Sequence, residues 1–152
     1  MTTENKNLSE VEGIKINSNY LRGNLKQQFA DNTTGGLPND GVNLIKFHGS
    51  YIQWDRDVDS ERKRQKLEPL YSFMIRVRTS GGLATPQQWL AVDSITDDLG
   101  SGTIKLSTRQ AFEIHNVAKR NFKTVIQRLV ACGLDSIATA GDVNRNVMCS
   151  PN

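Results

Sequence analysis

An α+β fold, an antiparallel sheet with two helices on one face, is predicted for residues 71–152 by three observations. Apolar and polar residues alternate with period two at Phe73-Met74-Ile75-Arg76-Val77-Arg78, from Thr103 to Ser107 and from Ala111 to His115. Two stretches repeat apolar residues at helical spacing, first Trp89, Val92, Ile95 and Leu99, then Phe122, Val125, Ile126, Leu129 and Val130. Turn-forming breaks separate them at Ser80-Gly81-Gly82, Gly100-Ser101-Gly102 and Thr108-Arg109-Gln110. With a last strand expected between Ser136 and Val147, the order is βαββαβ, the ferredoxin-like arrangement. Residues 1–70 read as an extended, partly loop-rich N-terminal segment that wraps around this unit.

Each element has its own local cause. From Met1 to about Val11 the composition is polar and charged, and Asp31 to Gly41 concentrates Asp, Asn, Thr, Gly and Pro, a loop signal. Val42 to Phe47 is predicted as a short strand, and Ser60 to Lys66 as a solvated, mixed-charge turn or helix. At Thr85-Pro86-Gln87-Gln88 a threonine hydroxyl can cap the third residue's N–H while that residue's amide reaches back, and proline loses no bond at the first helical position. The second helix, from about Asn121, stops at Gly133, because glycine takes the left-handed conformation of a helix end without a Cβ clash.

Composition narrows the function classes. The 152 residues, 37% of them hydrophobic, supply one ordinary core and too little for two. Apolar runs such as Leu129-Val130-Ala131 are far too short to span a bilayer, and Met1 to Asn7 lacks the apolar segment of a secretory signal, so a soluble cytoplasmic protein with no membrane partner is expected. Two cysteines, Cys132 and Cys149, with no CxxC pair, exclude a disulfide framework or a complete thiolate metal site built from this chain alone, and no metal ligand set is predicted. The formal charge is +3; residues 1–70 balance ten Lys/Arg against ten Asp/Glu, whereas residues 71–152 hold nine against six. An anionic partner is therefore expected on the second half.

The topology then sorts side chains by face. Both helices cover Phe73, Ile75, Val77, Ile104, Leu106, Phe112 and Ile114, leaving Arg76, Arg78, Lys105, Glu113 and His115 on the other side of the sheet. One reading is a solvated face with a cross-strand pair such as Arg to Glu113. The other is a platform for a polyanion, which suits arginine because its planar fork stays charged and grips oxyanions bidentately. A stand-alone RNA-binding domain of this topology is a third, weakened because the inferred open face carries no aromatic residue for base stacking.

Several ordered motifs together resemble a known family. Phe47-His48-Gly49-Ser50-Tyr51 with Gln53 and Asp55-Arg56, Gln65 to Pro69, Ile75-Arg76-Val77-Arg78 with Gly81-Gly82, Leu106 to Phe112 with His115, and Gly141-Asp142-Val143-Asn144-Arg145-Asn146-Val147 are similar to the siroheme-dependent sulfite and nitrite reductases, and among them to the hemoprotein subunit of assimilatory sulfite reductase. The resemblance implies a ferredoxin-like half-domain in the N-terminal portion of an oxidoreductase that reduces sulfite to sulfide with six electrons, or nitrite in the related branch. It implies siroheme and a 4Fe-4S cluster as cofactors. The cluster's ligands lie outside this chain, and Cys149 reads as structural. The implied partners are sulfite, the remainder of the hemoprotein chain and either an NADPH-dependent flavoprotein subunit or ferredoxin, with no nucleic acid. By motif, Arg76 and Arg145 would hold sulfite. Arg78, Lys105, Ser107, Thr108, Arg109, Gln110, His115 and Gln53 would bind or support siroheme, the basic ones through its carboxylates.

Overall fold

The computed structural model describes residues 8–141 and 143–150; Met1 to Asn7 of the polar start, and Asp142 of the Gly141 to Val147 motif, lie outside the described residues. Three helices come first, α1 (Glu10–Ile16), α2 (Leu25–Ala30) and α3 (Asn39–Phe47), followed by β1 (Ser50–Trp54) and α4 (Asp59–Arg64). The predicted unit then runs β2 (Tyr71–Val77), α5 (Pro86–Leu99), β3 (Ile104–Leu106), β4 (Phe112–Val117) and α6 (Phe122–Ala131). The capping box forms as its sequence dictates: Gln88 N–H donates to Thr85 Oγ1 at 3.2 Å, and Thr85 N–H to Gln88 Oε1 at 3.0 Å. Gly133, at φ +77°, follows the last turn of α6.

The four-stranded sheet has the order β1-β2-β4-β3 with every neighbouring pair antiparallel. The ferredoxin-like class stands, but two local expectations are corrected. Val42 to Phe47 is the second half of α3, not a strand, since Leu44, Ile45 and Phe47 all find burial on a helix. A six-residue window with apolar residues at 44, 45 and 47 fits either period, and packing decides. No strand follows α6 among the described residues; the segment makes only an isolated bridge, Arg78 to Asp135. The edge it was expected to occupy is taken by β1, whose register runs from Ser50 opposite Ile75 to Trp54 opposite Tyr71. With those backbone groups already paired, residues 135–141 instead pass beside the β1–β2 edge. There Gly49, at φ +81°, is required, because a Cβ would fall 2.0 Å from Ser136 O.

The core lies on the helix side. Phe73, Ile75, Val77, Phe112, Ile114 and Val117 from the sheet meet Val92 and Ile95 of α5 and Phe122, Val125 and Leu129 of α6. The N-terminal segment joins them through Ile45 and through Phe29, whose ring centroid lies 4.4 Å from Phe122 and 5.6 Å from Phe73. Leu106, expected under the helices, is 66% exposed, because β3 is a three-residue edge strand; Val130, placed on the apolar stripe of α6, is also exposed. A register shift between Phe73 and Ile75, with Asn116 at φ +59° opposite, forms a bulge in β4. It keeps Ile114 and Val117 both buried while His115 between them faces the other side.

Candidate functional site

The face away from the helices is polar, and the strand period puts it there: Arg76 alternates with Ile75 and Val77, and Glu113 with Phe112 and Ile114. A cleft of about 310 Å³ opens on it. Among the described residues three guanidinium groups, Arg76, Arg109 and Arg145, and one carboxylate, Glu113, line it, together with Ser107 and Thr108.

Arg76 is the most constrained of the three. Its Nε and Nη2 both donate to Glu113 Oε1, at 2.9 and 2.8 Å, and its Nη1 donates to Thr139 O at 3.1 Å. The Tyr51 ring lies 5.9 Å from its Cζ. Glu113 Oε2 in turn lies 3.4 Å from His115 Nε2, and His115 Nδ1 lies 3.2 Å from Gln53 Oε1, so one polar chain crosses β2, β4 and β1. The solvated-face reading expected such a cross-strand pair, and it is present. A guanidinium has five N–H groups. Three of Arg76's are used here, so each terminal nitrogen keeps one hydrogen for a ligand.

Arg109 sits in the β3–β4 turn, where Gln110 adopts φ +55°. Its N–H donates to Ser107 Oγ at 3.3 Å and its Nη2 to Asn146 O at 2.8 Å, while its buried Nε has no partner among the described residues. Arg145 is exposed, in an extended tail without helix or strand. Lys105 is exposed on β3, directly opposite Glu113.

The sites predicted by motif thus divide. Arg76, Arg145, Ser107, Thr108 and Arg109 share the cleft; Lys105, His115 and Gln53 lie on the same face beside it. Arg78 lines no part of the cleft: its Nη2 donates to Ile137 O at 2.6 Å, and its Nε is buried and has no partner among the described residues. Gln110 is turned toward the tail, its amide donating to Cys149 O at 2.9 Å and accepting from Cys149 N–H at 3.2 Å. Gln53 is part of β1, a strand the sequence reading missed; the same strand adds Tyr51, an aromatic residue on a face expected to have none. Asn146, 3% exposed, also went unnoticed as an individual residue, though the dense polar run around it was the available signal.

Carboxylates with shifted acidity lie away from the cleft. Thr34 Oγ1–H at 2.6 Å and Gly35 N–H at 2.8 Å hold the Glu68 carboxyl below the usual glutamate range, and Thr33 does the same for Asp31. Among the described residues no group of three or more His, Cys, Asp or Glu could hold a metal ion. The sulfur of Cys132 donates to Leu129 O and that of Cys149 to Gly81 O, each at 3.1 Å. No helix among the described residues is long and apolar enough to cross a membrane.

Comparison with known proteins shows what the chain is similar to. Residues 64–132 match the nitrite/sulfite reductase ferredoxin-like half domain. The chain is 55% identical over 147 residues to the sulfite reductase (NADPH) hemoprotein beta-component of Staphylococcus epidermidis, across 97% of this chain and 26% of that relative. It is 57% identical over 144 residues to the corresponding protein of Anoxybacillus flavithermus, across 95% of this chain and 25% of the relative. The chain therefore spans about a quarter of the length of the curated relatives it matches. Among solved structures the NirA protein of Mycobacterium tuberculosis superposes with a TM-score of 0.76 at 24% identity, over 95% of this chain and 28% of that one, which speaks for the fold alone. Residues 64–132 thus match a nitrite/sulfite reductase ferredoxin-like half domain, and the chain is similar, over nearly its whole length, to one quarter of the sulfite reductase hemoprotein beta-components.

Proposed function

We propose that this chain forms a cationic wall of the reaction site in a sulfite reductase hemoprotein, which reduces sulfite to sulfide with six electrons. The observation that carries the reading is the gathering of Arg76, Arg109 and Arg145 around one cleft with a single carboxylate among the described residues. Clustered guanidinium groups repel one another, so an anion that fills the space between them is stabilised by all three.

Siroheme, when bound, supplies the iron at which sulfite is reduced, and a 4Fe-4S cluster supplies electrons to it. The residues present fit a group bearing many carboxylates. Arg109 has an unused buried Nε and an Nη1 with no bond among the described residues, and Lys105 is exposed beside it on the same face. In this reading Arg109 and Lys105 hold carboxylates, Ser107 and Thr108 add hydroxyls in the same turn, and His115 with Gln53 borders the face. The described residues do not fit the cluster, so its ligands come from outside them.

Arg76 and Arg145 take the oxyanion. Glu113 and Thr139 fix Arg76 in advance, so little rotamer freedom is lost when its remaining hydrogens meet sulfite. Both guanidinium groups stabilise negative charge on the sulfite oxygens as these are protonated and lost as water. The remainder of the hemoprotein completes the site, and the electron donor is an NADPH-dependent flavoprotein, in keeping with the relatives' names, or ferredoxin, in the cytoplasm.

Nitrite is the second reading, favoured because the matching half domain is described for both reductases. The test assays the full-length protein that carries this chain with sulfite and with nitrite, and measures heme absorbance per protein. Sulfite should be the better substrate by kcat/KM, and Lys105→Glu should lower heme occupancy; turnover of neither anion, or full occupancy in the variant, refutes the proposal.

A further inference from the structure

We infer that Asn146 is a positioning residue that locks the β3–β4 turn to the arginine-bearing tail, and so sets Arg109 and Arg145 in one cleft. Its Nδ2 donates to three carbonyl oxygens, Thr79 O at 2.7 Å, Arg109 O at 2.9 Å and Gln110 O at 3.2 Å. Its own main-chain oxygen accepts from Arg109 Nη2 at 2.8 Å. One side chain therefore joins the end of β2, the turn and the tail.

The consequences follow from burial and from backbone direction. Asn146 is 3% exposed within a run in which Asn144, Arg145, Val147 and Met148 are all exposed, so its amide is turned inward while its neighbours face out. Burying the amide is what turns the Arg145 side chain outward. Residues 143–150 have no helix or strand of their own, so the pose of Arg145 depends on such side-chain ties together with the main-chain bond from Gly81 N–H to Val147 O at 2.8 Å. The turn depends on them as well, because Gln110 is held at φ +55°, where a residue with a Cβ is strained and two adjacent carbonyls are supplied by the same amide donor. A donor is needed here and shape alone does not suffice: the partners are carbonyl oxygens, which a carboxylate of the same outline would repel. The lock stands on this geometry; only the identity of its ligand rests on the sulfite reading above.

The experiment compares wild type, Asn146→Ala and Asn146→Asp in the full-length protein, by amide hydrogen exchange and by sulfite kinetics. In both variants exchange across residues 107–111 and 143–150 is expected to rise by about tenfold or more, with α5 and α6 unchanged, and the KM for sulfite to rise about tenfold with a smaller change in kcat. Wild-type exchange and KM in Asn146→Asp would overturn the inference, since shape would then be enough. Faster exchange in α5 and α6 to the same extent would overturn it too, as a general packing role. Faster local exchange with an unchanged KM would uphold the lock and instead refute the cleft as the sulfite site.

Discussion

The two faces of this sheet are made by the same strands and obey opposite rules. On the helix side Phe73, Ile75, Val77, Phe112, Ile114 and Val117 are each at most 3% exposed and are interchangeable in chemistry, differing only in shape. On the other side Arg76, Glu113, His115 and Gln53 are joined atom to atom, and each has a bonding requirement its neighbour must meet. The first face is held by area removed from water, which is non-directional; the second by hydrogen bonds, which are directional. One sheet can therefore keep its fold under changes to the polar face and keep its cleft only while the core is intact.

That contrast can be broken by substitution, and the largest effect belongs to the core. Phe73→Ala, which also removes the ring contacts to Phe29 and Phe122, should cost about 3–5 kcal/mol of stability, read from denaturant unfolding, and should take anion binding down with it. Arg145→Ala should do the reverse, leaving the unfolding midpoint within error while the sulfite KM of the full-length protein rises more than about tenfold, because one charge-assisted contact is lost. If it instead lowered the midpoint as far as Phe73→Ala, the two faces would not be separable.

Smaller effects sharpen the comparison. Glu113→Gln removes the countercharge of Arg76 while keeping an acceptor, and should destabilise by about 1 kcal/mol, visible in the same unfolding measurement. The smallest effect lies outside both faces, at the clasp between Glu68 and the Thr34-Gly35 loop. The depressed Glu68 pKa means that the carboxylate's contribution is fully present above the ordinary glutamate value and is lost as pH falls through the lower, folded-state value. Amide exchange at Gly35 should accelerate over that acidic window in the native protein. In Glu68→Gln it should be fast already at neutral pH, with no added acid dependence.

The half-domain was legible because its signals are local. The Thr85 capping box, the Gly133 stop and the alternation around Ile75 and Ile114 are each written within a few neighbouring residues. The parts that were misread are the ones settled at long range. Val42 to Phe47 reads equally as strand or helix until Leu44 and Ile45 are buried, and β1, which sets Tyr51 and Ile52 side by side, lacks the clean alternation that would announce it without β2 beside it. The cleft was half legible: Arg76 and Glu113 follow from strand period, whereas Arg109 and Arg145 meet through long-range ties such as those of Asn146, 37 residues along the chain from the turn it holds.

The sequence by itself determined the layering of this protein, which residues of each strand are apolar and which are charged, because side-chain direction along a strand and hydration of each group are properties of single residues and their nearest neighbours. Only the tertiary structure decided that β1 fills the fourth place in the sheet, that residues 135–141 run past it without a strand, and that Gln110 turns to the tail while Arg109 turns to the cleft. Those outcomes depend on which backbone groups are already paired when distant segments meet, and that competition is resolved only in the folded chain.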